Sequence, residues 1–83
     1  MPFTYIFIDT NQKIYIGSTT DLERRLREHA RGHTTTTRKL DHLRVLWHKE
    51  YLLLEDARTT ERKIKSWKSR YMIEKLVNGS IQI

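Results

Sequence analysis

The sequence contains no cysteine. This excludes disulfides and thiolate metal sites as supports for the fold, and it leaves reducing and oxidising compartments both open. No apolar run approaches the roughly 18 residues that a membrane-spanning helix needs. The N-terminus lacks the basic-then-apolar order of a signal peptide, so a cytoplasmic setting is expected. A phosphate-binding loop, a nucleophile elbow and a dinucleotide glycine fingerprint are all missing. The four histidines, at 29, 33, 42 and 48, show no zinc spacing. There is no internal repeat and no linker composition. Acids are scarce beside bases: 10 Asp and Glu against 16 Lys and Arg, a net charge of +6. At 83 residues the chain is expected to form one domain, 1–83, with a small core. For so short a chain the charge imbalance favours a polyanionic partner, nucleic acid first. An ordinary protein with a basic surface has the same net charge.

Residues 14–29 are the stretch around which the chain is organised. Ile14–Gly17 is β-branched and aromatic, a short strand. Gly17 lets the backbone leave the sheet or approach a ligand. Thr20 and Glu23 have the spacing of a capping box, which predicts a helix from about Asp21. Leu22, Arg25, Leu26 and His29 then fall at i, i+3, i+4 and i+7, on one helical face. An arginine and a histidine one turn apart on that face, just past a strand carrying Tyr15, suggest a site.

Before this stretch, Pro2–Ile8 alternates Phe3, Tyr5 and Phe7 with Thr4, Ile6 and Ile8. Both faces are largely apolar, which predicts a central strand covered on both sides. Asp9–Lys13 reads as the turn of an antiparallel hairpin. After it, Gly32 is a helix stop, preceded by Arg27 and Arg31. His33–Asp41 reads as a loop. Its four threonines beside Arg38 and Lys39 fit a spacer and fit a phosphate contact equally well. Leu43, Val45 and Trp47 alternate, predicting a third strand within His42–Tyr51. Leu52–Leu54 is ambiguous by periodicity. Glu55–Ser69 and Arg70–Val77 read as helices, and Asn78-Gly79 ends the second. Ser80–Ile83 is a tail suited to an added edge strand.

Glu61 breaks the pattern. It lies four residues after Ala57 and three before Ile64, on the apolar stripe of its helix. A buried carboxylate costs several kcal/mol unless it is paired or bound to metal. Spacing alone favours an ion pair, with Arg25 or with a lysine of the same helix, over a ligand for one divalent cation. Around it Arg58, Arg62, Lys63, Lys65, Lys68 and Arg70 cluster within thirteen residues. Charge runs are usually solvated, but the one-sided sign favours a phosphate-binding face. Trp47 and Trp67 read as core. Tyr5 and Tyr15 lie on adjacent strands, where tyrosine is usually packing. A phenol with a pKa near 10 needs help to act as a base.

Taken together these pieces resemble the GIY-YIG nuclease domain. Phe3-Thr4-Tyr5 stands where the family has its first triplet and keeps only the tyrosine. Tyr15-Ile16-Gly17 matches the second. Asp21–His29 is similar to the helix that carries the family's arginine. Ala57, Glu61, Lys65 and Trp67 match the helix with the metal-binding glutamate, and Lys75–Asn78 resembles the family's ending. Ser18 stands where repair subunits tend to have lysine. The resemblance covers nearly the whole chain and is closest to the short, single-domain bacterial members. It implies an α+β fold, a three-stranded antiparallel sheet flanked by about three helices. It also implies one Mg²⁺ or Mn²⁺ on Glu61, Tyr15 as base, Tyr5 and His29 orienting the water, and Arg25 neutralising the phosphate. The nucleic-acid contacts expected are Arg24, Arg38, Lys39, Arg58, Arg62, Lys63, Lys65, Lys68 and Asn78. The reaction implied is DNA phosphodiester hydrolysis leaving 5′-phosphate and 3′-hydroxyl, in repair, recombination or processing.

Two other functional classes are compatible with the same residues. One is a non-catalytic nucleic-acid-binding module using the same basic face. The other is a subunit docking that face on an acidic protein. A full set of catalytic residue types argues against a dead enzyme. Salt dependence separates protein docking from DNA binding, and cleavage with Mn²⁺ separates enzyme from binder. So small a chain leaves no spare domain for reading a target, which predicts weak sequence preference or a targeting partner.

Overall fold

Phe3–Ile8 forms strand β1, pairing antiparallel with β2 (Ile14–Thr19) on one side and β3 (Arg44–Glu50) on the other. The sheet order is β2-β1-β3. The computed structural model describes residues 1–31 and 43–83. The expectations placed on Gly32, on the loop His33–Asp41 and on Arg38 and Lys39 lie outside the described residues. Three helices complete the described fold: α1 (Leu22–Arg31), α2 (Leu54–Trp67) and α3 (Arg70–Val77). The fold is α+β, as the sequence leads one to expect. Among the described residues no helix is long and apolar enough to cross a membrane.

β1 is central because both its faces are apolar, and two cores form on it. On one face Tyr5 and Phe7 pack with Leu43, Val45, Tyr15 and the Leu22 and Leu26 of α1. On the other, Ile6 packs with Ile64 of α2 and with Ile73 and Leu76 of α3. Thr4, fully buried, donates its hydroxyl to the carbonyl of Ala57 at 2.7 Å, tying α2 to the sheet. Trp47 and Trp67 both pack against the Ile6 core.

The structure corrects several local expectations. The alternation Leu43, Val45, Trp47 does not persist in space. A register shift between Ile6 and Phe7 puts Val45 opposite Phe7 and Trp47 opposite Ile6. The irregularity moves Trp47 to the opposite core, because one extra residue reverses the pleat. Strand β2 does not break at Gly17 but pairs on through Ser18 and Thr19. The Thr20–Glu23 capping box does not form. Instead Asp21 caps α1, its Oδ1 accepting from Arg24 N at 3.0 Å. Asp21 N in turn donates to Thr19 Oγ1 at 3.1 Å. Helix α2 stops at Trp67 rather than Ser69: Lys68 takes a left-handed conformation, φ 48°. Ser69 is then free to cap α3, accepting from Met72 N at 3.2 Å. The tail is not an edge strand. Ile81 and Ile83 pack on the Ile6 core, and Lys49 donates to the Ile83 carbonyl.

Candidate active site

The hairpin register pairs Tyr5 with Gly17 and Phe7 with Tyr15. Side chains of one parity share a face, so Tyr5, Phe7 and Tyr15 all meet α1. Tyr5 stacks on Phe7, ring centroids 4.1 Å apart. A Cβ at Gly17 would overlap the Tyr5 hydroxyl and ring. The glycine is there for the tyrosine: it opens β2 where the phenol crosses it.

Helix α1 brings His29 to this cluster. Its Nε2 lies 3.1 Å from the Tyr5 hydroxyl, and its ring contacts Phe7 and Tyr15 at centroid distances of 5.5 and 5.6 Å. The i, i+3, i+4, i+7 face of the sequence is thus the face that meets the sheet. Arg25 sits one turn earlier, its side chain 42% exposed. Its Nε is buried and has no hydrogen-bond partner among the described residues; the nearest carboxylate oxygen, of Glu28, is 3.9 Å away. The exposed part of the guanidinium is suited to an anion arriving from solvent.

Glu61 approaches from the other layer, on α2. Its Oε1 accepts from Ser18 Oγ at 2.6 Å and its Oε2 from Lys65 Nζ at 2.7 Å. Of the two ion-pair partners the spacing allows, Arg25 and a lysine of the same helix, the structure has the lysine one turn along. Burial works against ionisation of Glu61, but the Lys65 and Ser18 bonds and the charges of Lys65 and Arg58 outweigh it. The carboxyl is held below its ordinary range. The Tyr5 hydroxyl registers both helices. Burial pushes its pKa up, the Arg25 charge opposes that, and the charges of Glu61 and Glu28 add to it. The field at this phenol thus has contributions from both α1 and α2.

Tyr15 is placed differently. Its hydroxyl donates to Asp9 Oδ2 at 3.2 Å, and Lys13 Nζ lies 5.4 Å from its ring centroid. Burial, the bond to Asp9 and the Asp9 charge all push its pKa up. Burial disfavours the Asp9 carboxylate too, yet bonds from Lys13 N, Asn11 N and Tyr15, with the Lys13 charge, hold its pKa down. Asp9 and Ser18 are the two residues of the cluster to which the sequence assigns no role. Aspartate opening a hairpin turn is a legible pattern, but its bond to Tyr15 exists only through the strand register.

The remaining basic residues do not enter this cluster. Arg58, Arg62 and Lys63 are exposed along α2, and Lys68 is exposed just past its end. Arg24 is exposed on α1, 3.7 Å from Glu28. Arg70 donates to the Gln12 carbonyl at 3.1 Å. Asn78 ends α3, its Oδ1 accepting from Ser80 N at 2.9 Å.

The model of the GIY-YIG catalytic domain family matches residues 1–77 of the 83. The chain belongs to that family, whose domain is of the nuclease type. No curated protein and no solved structure matches the chain.

Proposed function

We propose that the protein is a divalent-metal-dependent DNA endonuclease that hydrolyses phosphodiester bonds to 5′-phosphate and 3′-hydroxyl, in repair, recombination or processing. The observation that carries the reading is the cluster of Tyr5, Tyr15 and His29, with the Tyr5 hydroxyl 3.1 Å from His29 Nε2, and with Glu61 held by Ser18 of the same strand that carries Tyr15. Family membership supports the reaction class.

The residues fit a metal with few protein ligands. Glu61 is an ionised hard-oxygen donor that already holds a cation, Lys65 Nζ, at 2.7 Å. Lys65 is 54% exposed and free to swing away. Magnesium typically takes one or two carboxylates and fills its shell with water and substrate phosphate. Mg²⁺ or Mn²⁺ held by Glu61 would polarise the phosphate and stabilise the leaving oxygen. Arg25 neutralises charge on the phosphate through the exposed end of its guanidinium. Tyr5 and His29, bonded to each other, orient the attacking water, and Tyr15 accepts its proton. The exposed cations of α2, with Arg24, Arg38, Lys39 and Asn78, contact the DNA backbone.

The test is cleavage of labelled single-stranded, duplex and branched DNA by wild type and Glu61→Gln, with and without Mn²⁺. Cleavage should require Mn²⁺ or Mg²⁺ and vanish in Glu61→Gln, while DNA binding persists. The Lys65 pair is half exposed, so its loss should change stability by less than about 1 kcal/mol. A folded Glu61→Gln protein cutting at near wild-type rate overturns the mechanism. DNA binding by wild type without cleavage under any condition leaves a binding module.

A further inference from the structure

Asp9 carries a charge that its turn does not need. The residue is 6% exposed at the start of the β1–β2 turn. Oδ1 alone closes that turn, accepting from Asn11 N at 2.8 Å and Lys13 N at 2.9 Å. The backbone adds Asp9 N to Lys13 O and Gln12 N to Asp9 O, both 3.1 Å. Asparagine or serine would make such a turn without burying a carboxylate. The second oxygen, Oδ2, has one described side-chain donor, the hydroxyl of Tyr15.

We propose that Asp9 is the positioning residue of Tyr15, holding the phenolic proton so that the oxygen's lone pairs face the site, and receiving that proton when Tyr15 takes one from water. This rests on the reading of Tyr15 as the base. A phenol has one proton and accepts through its oxygen. With the proton committed to Oδ2, the oxygen is left to accept from water. The groups facing Tyr15 are Asp9 from the turn, Lys13 beside its ring and His29 from α1. Burial and Asp9 make a free tyrosinate unfavourable at neutral pH, so the transfer runs through the phenol rather than from its anion.

The step balances. A water O–H breaks and a Tyr15 O–H forms, while the original Tyr15 O–H breaks and an Asp9 Oδ2–H forms. The electron pair released by water makes the new O–P bond. The P–O3′ bond breaks, and the departing oxygen takes a proton from solvent water. Asp9, an acid held below its ordinary range, then returns its proton to solvent and neutralises the hydroxide left there.

Asp9→Asn tests the proposal. It keeps Oδ1 for the turn but presents an amide donor where Oδ2 accepted. Single-turnover cleavage with Mn²⁺ should fall at least tenfold, about as far as in Tyr15→Phe, and the double variant should fall no further. DNA affinity should be unchanged. The tyrosinate absorbance assigned to Tyr15, by difference from Tyr15→Phe, should appear at lower pH in Asp9→Asn. Asp9→Ser, which keeps an acceptor for the turn, should repeat these results where Asp9→Asn folds poorly. Near wild-type cleavage in both Asp9 variants, losses that multiply in the double variant, or an unmoved Tyr15 titration overturns the proposal. Tyr15→Phe that cuts normally, or a wild type that cuts nothing, overturns the nuclease mechanism as well. A Tyr15 that matters beside an Asp9 that does not overturns the relay alone.

Discussion

Tyr5 lies across Gly17 on the neighbouring strand, and this pair decides where the central hydroxyl of the site can stand. The glycine is not needed for an unusual backbone angle; β2 pairs regularly through it. It is needed because any Cβ would occupy the space of the phenol. Gly17→Ala should therefore act through Tyr5. The ring must shift from Phe7 and from its 3.1 Å contact with His29. Overpacking of this kind costs about 1–3 kcal/mol, measurable as a lower urea midpoint. In a Tyr5→Leu background the same glycine change should cost markedly less. Equal costs in both backgrounds would mean that the glycine serves something other than the tyrosine.

At the scale of elements, α2 divides its surface between two tasks. Ala57 and Ile64 are buried against the sheet, and Glu61 lies at the edge of that stripe with its side chain 21% exposed. The lysines and arginines occupy the rest. Lys65 must be set apart from its neighbours, since it pairs with Glu61. A clean test of the DNA-binding face replaces Lys63 and Lys68 with alanine and leaves Lys65 in place. For duplex DNA the salt slope should become shallower by about 0.9 for each phosphate that is no longer neutralised. Binding measured across a salt series decides it; an unchanged slope makes these two lysines solvent-facing only.

Across the whole molecule, the shifted groups of the site contribute to how stability depends on pH. Asp9 and Glu61 have depressed pKa values. Their contribution is complete above the ordinary carboxyl values of about 4 and is lost as pH falls through the depressed ones. Tyr5 and Tyr15 have raised values. A raised phenol favours the folded state below the ordinary value of about 10, and that advantage is lost as pH rises through the raised one. Urea midpoints should hold between these limits and fall beyond them. Asp9→Asn should flatten the acid side, and Tyr15→Phe the alkaline side. A variant whose profile parallels wild type on its own side would remove that group from the account.

Much of this was legible in the chain itself. The two apolar faces of Phe3–Ile8 made that strand central, because only burial on both sides satisfies such a run. Helical spacing put Arg25 and His29 on the sheet-facing side of α1, and the bounds of α3 follow its own periodicity. These are properties of local pattern, set by the repeat of strand and helix. What needed the third dimension was which particular side chains meet across elements. Trp47 changed cores through an irregularity in β3 that alternation cannot register. Asp21 capped α1 in place of Thr20, since Thr19 in the sheet supplies the supporting bond. Glu61 found Ser18 on the neighbouring strand, and Asp9 found Tyr15. Which donor reaches which acceptor depends on strand register and helix docking, distances that no spacing along the chain encodes.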